Sequence, residues 1–258
     1  MKNQYVGDIG DYTKLGVLRR IAQHTGLSLG VNWYLTPDDE IIKDGRHTAY
    51  LEKYCDTDDE ELLFKLKSIA GKKCIERLRT VEQLQKLDLL PGAEYFIAPL
   101  DFTNRKSAYE RLKRRDGWHK RALQHLNHKE VVFLDPDNGL TFTNAYGKDG
   151  NKNATYEEVC DYYRNGSSVI IYNHRDRSPI KDYLYRLNRF EILETTANAF
   201  ILCLTAPKYT QRDYLFVMQP AHREKIELSS HMILNSDWRR YGYLFQRDLK
   251  KGDLIGKS

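Results

Sequence analysis

The chain has 258 residues, 41% of them hydrophobic and 30% charged, with 18 Tyr, 9 Phe and 3 Trp; a disordered chain would be poorer in aromatics, so a substantial core is expected. No stretch approaches the ~18 apolar residues of a membrane span, and Met1 to Gly10 carries charge and glycine where a secretory signal needs an apolar run; a cytoplasmic protein with no membrane partner is expected. The net charge of +5 is mildly basic, and the four widely spaced cysteines, Cys55, Cys74, Cys160 and Cys203, include no CxxC pair of the kind structural zinc uses and read as reduced thiols.

Leu15, Val17, Leu18 and Ile21 have helical spacing and predict a helix from Asp11 to about His24, stopped by Gly26. Leu27 to Leu35 reads as a strand running into the polar turn Thr36-Pro37-Asp38-Asp39-Glu40, and a helix is expected from Thr57 to Ala70, closed by Gly71. A short strand from Glu94 to Ala98 precedes a long basic helix from Ser107 to Leu126, which delivers the chain into Val131 to Leu134. That strand is apolar on both faces, as befits a central parallel strand covered by helices on each side. An Asn- and Gly-rich loop from Asn144 to Asn153, expected to be a mobile element near the site, leads to a helix from Thr155 to about Arg164 and then to a second doubly buried strand, Ser168 to Tyr172. The alternation of strand and helix predicts an open, mostly parallel sheet with helices on both faces, an α/β Rossmann-like fold forming one domain over 1–258. Ala199 to Thr205 and Asp213 to Gln219 read as an antiparallel hairpin at the sheet edge.

Ligands of open α/β sheets bind outside the carboxyl ends of the strands, so the polar residues that follow the buried strands are the first candidates. Asp135-Pro136-Asp137-Asn138-Gly139 follows one such strand and Asn173-His174-Arg175-Asp176-Arg177 the next. If the two strands are neighbours, acid, amide, imidazole and guanidinium converge. Gly7-Asp8-Ile9-Gly10-Asp11-Tyr12-Thr13-Lys14 has the pattern of a helix start with Asp11 at or near the cap, suited to an anion or a polar ligand edge. Asn32-Trp33-Tyr34 brings an amide and aromatics to the same edge, where a purine can stack. The cations from Arg105 through Arg114 and Arg115 to Arg121, with Arg239, Arg240 and Arg247 near the C-terminal aromatics, suit a phosphate backbone and make nucleic acid the expected partner.

The order of these segments resembles the ribosomal RNA adenine-N6 methyltransferases that modify large-subunit RNA with S-adenosylmethionine. That family has a G-N-x-x-D-x-x-K helix start, an Asp-Gly opening a helix, an apolar strand ending in Asp-Pro-Pro-Tyr, a Gly turn and a second apolar strand. Here Gly7 to Lys14, Asp116-Gly117-Trp118, Asp135 to Asn138, Asn165-Gly166 and Ser168 to Tyr172 fall in the same order, over most of residues 5 to 178. The resemblance implies a methyltransferase fold with Asp8, Asp11, Lys14, Asn32 and Asp116 holding the cofactor, Asp116 on its adenine amine. It further implies a catalytic cluster of Asp135, Asp137, Asn138 and His174, and substrate contacts by Trp33, Arg114, Arg115, Asn173 and Arg177. A carboxylate at Asp135 would accept the N–H bonds of an adenine amine and direct its lone pair at the methyl sulfonium. Two positions depart from the pattern. Asp137-Asn138 stands where the family has Pro-Tyr, leaving Trp33 or Tyr172 to stack on the base, and the nearest glycine loop to the first strand is Asp44-Gly45-Arg46-His47. The chain also resembles a group of uncharacterised bacterial and prophage proteins that share its N-terminal segment, which implies no function.

Two other readings start from the same residues. A metal-dependent nuclease or phosphodiesterase would hold Mg²⁺ on Asp135 and Asp137, with Glu158, His174 and Asp8, and set Lys148 or Lys152 on the phosphate. A catalytically silent module of the same fold would bind nucleic acid through the basic helix. No metal ligand is expected in the methyltransferase reading.

Overall fold

The computed structural model describes residues 1–38, 45, 47–53, 57–72, 74, 79–141 and 145–249. Helix α1 (Ile9–Thr25) leads to β1 (Leu29–Asn32), then α2 (Glu60–Ala70), α3 (Val81–Lys86), β2 (Glu94–Phe96), α4 (Ala108–His125) and β3 (Val131–Leu134). Strands β4 (Gly139–Thr141) and β5 (Asn153–Thr155) follow, then α5 (Tyr156–Arg164), β6 (Ser168–His174) and α6 (Ile180–Asn188). The chain continues with β7 (Phe200–Ala206), β8 (Arg212–Met218), α7 (Arg223–Leu234), α8 (Asp237–Arg240) and β9 (Phe245–Gln246).

Helix ends follow local chemistry. Asp8 caps α1 by accepting from the Asp11 amide at 3.0 Å, and Gly26 ends it in the left-handed conformation at φ 66° that glycine adopts without strain. Ser107 with Glu110 and Thr155 with Glu158 form reciprocal capping boxes at the starts of α4 and α5.

Seven strands form one sheet in the order β2-β1-β3-β6-β8-β7-β9. The first four are mutually parallel, whereas β8 runs antiparallel to both β6 and β7, and β9 antiparallel to β7. The result is an α/β Rossmann-like sheet with helices on both faces. Strand β8 lies inside the sheet between β6 and β7, and the short β9 forms that edge. β4 and β5 pair in a separate two-stranded parallel sheet that the sequence reading did not anticipate.

The period-2 alternation of the strands divides the core in two. Val31, Trp33, Phe133, Ile170, Tyr172, Tyr214 and Phe216 face α1, α2, α3 and α7. Val132, Leu134, Val169, Ile171, Leu215 and Val217 face α4, α5 and α6. Burial on both sides explains why β3 and β6 read as unbroken apolar runs, each buried aliphatic side chain contributing roughly 1.5–3 kcal/mol. The mobile element expected at 144–153 is, in its described part, tied down: Ala145, Gly150 and Asn151 are buried, and Arg115 donates to the carbonyls of Ala145 and Gly150. No helix among the described residues is long and apolar enough to cross a membrane.

Candidate functional site

From β1 the chain crosses outward to β2, then returns past β1 to β3 and on to β6, so its direction of progress reverses between β1 and β3. Open α/β sheets bind ligands in the crevice at such a switch point, outside the carboxyl ends of the strands. A cavity of about 450 Å³ lies there, lined among others by Asp8, Asp11, Lys14, Asp135, Asp137 and His174.

Its centre is a buried charge cluster. Lys14, on the second turn of α1, donates to Asp135 at 2.7 Å and to Asp11 at 2.8 Å, and all three are at most 3% exposed. Burial alone would lower the Lys14 pKa, but the carboxylates of Asp11 and Asp135 hold it well above the ordinary value. The rings of Tyr172 and Trp33 flank the ammonium at 4.8 and 5.6 Å from their centroids. Burial raises the Asp135 pKa, opposed by Lys14 and by the N-terminal ammonium. That ammonium pairs with Asp137 at 2.6 Å and donates to the Asp135 carbonyl at 2.9 Å, while Thr36 donates to the other oxygen of Asp137 at 3.1 Å.

His174 lines the cavity, its pKa driven well below the ordinary value by burial and by the neighbouring Arg212, which together disfavour the protonated ring. Asp8 is the second perturbed acid. Burial and the charge of Asp11 raise its pKa to about 6. An acid whose folded-state pKa exceeds its unfolded one contributes stability below the unfolded value of 3.8 and loses it as pH rises through about 6. Asp8→Asn keeps the cap and removes the charge. It is expected to stabilise the protein by on the order of 2 kcal/mol at about pH 8 and by nothing near pH 4, a difference read by urea unfolding at the two pH values.

Parity decides which of the sequence-nominated residues meet. Asp135 follows Leu134 and so faces α1; Tyr172 and His174 face the same way, while Asn173 faces α6 and bonds Tyr183 at 2.9 Å. Asn173 also accepts from the Leu140 amide at 2.7 Å, and a Cβ on Gly139, at φ 81°, would stand 2.1 Å from its carboxamide oxygen, which is why the Asp-Pro-Asp-Asn turn closes on glycine. Asn32 likewise turns from the cavity to donate to Tyr162 at 3.1 Å. Trp33 is fully buried and stacks on Tyr95, so it reaches the site only through its contact with Lys14. Neither Asn32 nor Asn173 lines the cavity; both are interior hydrogen-bonding groups.

The basic helix needs a larger correction. α4 packs on the opposite sheet face, and Asp116 lines a separate cavity between α4 and α5 rather than the one at Asp135. Arg115 is buried in a bidentate pair with Glu158 at 2.7 and 2.6 Å and cannot meet a substrate phosphate. Arg114 does not line the switch-point cavity, and Arg177 is exposed beyond the end of β6. The five-residue Mg²⁺ set is not assembled, because Glu158 is across the sheet on Arg115 and Asp135 is paired to Lys14. Among the described residues no group of three or more acidic, His or Cys side chains is placed to hold a metal. The glycine loop considered at 44–47 includes residues 44 and 46, which lie outside the described residues; Gly45 and His47 line the cavity.

Sequence reasoning missed Lys2, Tyr5 and Arg212; Lys152, considered for the phosphate of the metal-dependent reading, and Tyr172, considered as a stacking ring, both line the cavity. Arg212 opens β8 directly opposite His174, a proximity that only the antiparallel register reveals. Comparison with protein-family models, curated proteins and solved structures finds no match to this chain.

Proposed function

We propose that the protein is an S-adenosylmethionine-dependent methyltransferase acting on an amine of a nucleic-acid base, with its site in the switch-point cavity. The observation that carries this reading is the 2.7 Å bond between Lys14 and Asp135, 121 residues apart. It joins the two motifs on which the resemblance to adenine-N6 methyltransferases rests, at the place where such a sheet binds its ligand.

The residues present fit the cofactor. A cavity of about 450 Å³ is in the size range of small-molecule sites, and its walls offer carboxylates at Asp8 and Asp11 for hydroxyl and ammonium groups and a guanidinium at Arg212 for a carboxylate. When bound, the cofactor supplies a methyl group on a cationic sulfur that departs as a neutral thioether once the amine nitrogen has taken the methyl. Asp135 accepts an N–H of the amine and so directs the nitrogen lone pair out of the base plane. Lys14 keeps that carboxylate oriented and ionised in a buried setting. The proton that the methylated nitrogen sheds leaves to solvent through the cavity, whose wall includes His174.

Isothermal titration calorimetry against S-adenosylmethionine tests the reading. Saturable binding is expected, retained in Asp116→Ala and lost in Asn138→Trp, where an exposed position on the cavity wall receives an indole that fills the space. A flat titration of the unmodified protein removes the reading. Loss in Asp116→Ala with retention in Asn138→Trp moves the ligand to the groove between α4 and α5.

A further inference from the structure

Beside the cavity runs an open groove of about 540 Å³ whose walls carry Lys2, Arg105, Lys106, Arg111, Lys148 and Lys152. Lys2 and Lys152 also line the switch-point cavity, so the two spaces share a wall. We infer that this groove is the track for the phosphodiester backbone of a single-stranded nucleic acid, with Lys2 and Lys152 marking where one nucleotide turns into the cavity; the inference rests on the methyltransferase reading for what happens to that nucleotide, but not for the binding itself.

The charge pattern carries it. Six cations against three carboxylates, Asp38, Asp101 and Asp149, leave the walls with an excess of positive charge, carried to the surface by Arg105, Lys106 and Lys148, whereas Lys2 and Arg111 are buried and Arg111 donates to the carbonyls of Tyr146, Arg105 and Lys106. Asp38 accepts from the Gln4 amide at 3.2 Å, Asp101 from the Thr103 amide at 2.7 Å, and Asp149 pairs with Lys152 at 2.8 Å. The cations come from three separate stretches of chain, and Arg105, Lys106 and Lys148 are exposed. A net excess of cations of this kind serves a polyanion through counterion release.

The same surface is poorly built for an acidic protein. None of the large apolar side chains that the surface exposes, such as Phe64, Tyr109 or Tyr185, lines the groove, and a protein interface needs apolar or aromatic anchors at its centre. On the methyltransferase reading, depth also favours single strands over duplexes. Asp135 is 2% exposed at the inner end of the cavity, beyond the reach of a base that stays stacked in a helix. The α4 arginines nominated from sequence are thereby replaced: Arg115 is interior, and of the helix itself only Arg111 lines the groove.

Fluorescence anisotropy with a labelled single strand of about twenty nucleotides, as RNA and as DNA, and with the matching duplex, tests the surface on the full chain. The groove pair Lys106→Glu with Lys148→Glu is compared with Arg239→Glu with Arg240→Glu, the exposed cations of the rival C-terminal cluster. The groove pair is expected to weaken strand binding by about tenfold or more and to lower the slope of log K against log salt by between about one and two; the control pair stays within about twofold. Equal losses in both pairs, no loss in the groove pair, or a duplex bound as tightly and with the same sensitivity overturns the inference. Cofactor titration of the groove pair separates the two readings. A flat titration of the unmodified protein with groove-dependent strand binding sinks the methyltransferase and leaves the surface standing, while intact cofactor binding with groove-independent strand binding does the reverse.

Discussion

Lys14→Met is expected to destabilise the protein by roughly 3–5 kcal/mol at neutral pH, the range for removing one partner of a buried ion pair. The substitution keeps most of the apolar stem between Trp33 and Tyr172 but leaves Asp11 and Asp135 without the ammonium that each contacts. Asp11 retains the Gly7 amide at 2.9 Å, so the heavier penalty falls on Asp135, whose pKa burial already raises. Adding Asp135→Asn to Lys14→Met is therefore expected to restore about half of the loss, because a neutral carboxamide needs no counter-charge. The sign of the pH dependence follows: without Lys14 the Asp135 carboxylate takes up a proton more readily when folded, so the deficit narrows as pH falls toward about 4. Urea unfolding of the two variants across that range reads both effects. A loss below about 1 kcal/mol would mean that water, and not Lys14, solvates Asp135.

How much of this was legible in the sequence depends on parity. The buried strands Val131 to Leu134 and Ser168 to Tyr172 were readable because burial on both faces leaves Val131 to Leu134 and Val169 to Ile171 wholly apolar, and the helices at Ile9–Thr25, Ala108–His125 and Tyr156–Arg164 because caps and stops bracket them. Asp8, Asp11, Lys14, Asp135, Asp137, Asn138 and His174 were nominated and all line one cavity. Asn32 and Asn173 were nominated by the same rule and do not, since residues adjacent in a strand face opposite sides of the sheet and a run buried on both sides gives no alternation from which to tell them apart. Arg212 and Lys2 were invisible for a different reason. Their place is set by strand register and by loops crossing the switch point, contacts of long sequence separation that no local pattern encodes.

Arg115 shows the cost of reading a charge run as a surface, and its replacement is the second large effect. On α4 it occupies the face that also buries Trp118, His119 and Ala122, and each nitrogen of its guanidinium is engaged. Nε and Nη2 meet the two oxygens of Glu158, Nη1 reaches the carbonyls of Ala145 and Gly150, and Nη2 also reaches that of Asn153. Glu158 in turn caps α5 by accepting from the Thr155 amide at 3.0 Å and receives the Tyr34 hydroxyl at 3.1 Å. Burial would raise the Glu158 pKa, but Arg115 brings it below the ordinary value, so the carboxylate contributes stability above its unfolded pKa that is lost as pH falls through the folded one. Arg115→Met is thus expected to cost roughly 3–5 kcal/mol, through an uncompensated buried carboxylate and three carbonyls stripped of their donor. Arg115→Lys is expected to recover only a minority of this, because one ammonium cannot span the fork that a guanidinium fills. Thermal unfolding measures the loss, and strand-binding anisotropy on the folded fraction discriminates its origin: an interior clamp leaves affinity within about twofold, while a phosphate contact would lower the salt slope by about one. The second result would return Arg115 to the nucleic-acid interface from which its burial against Glu158 removes it.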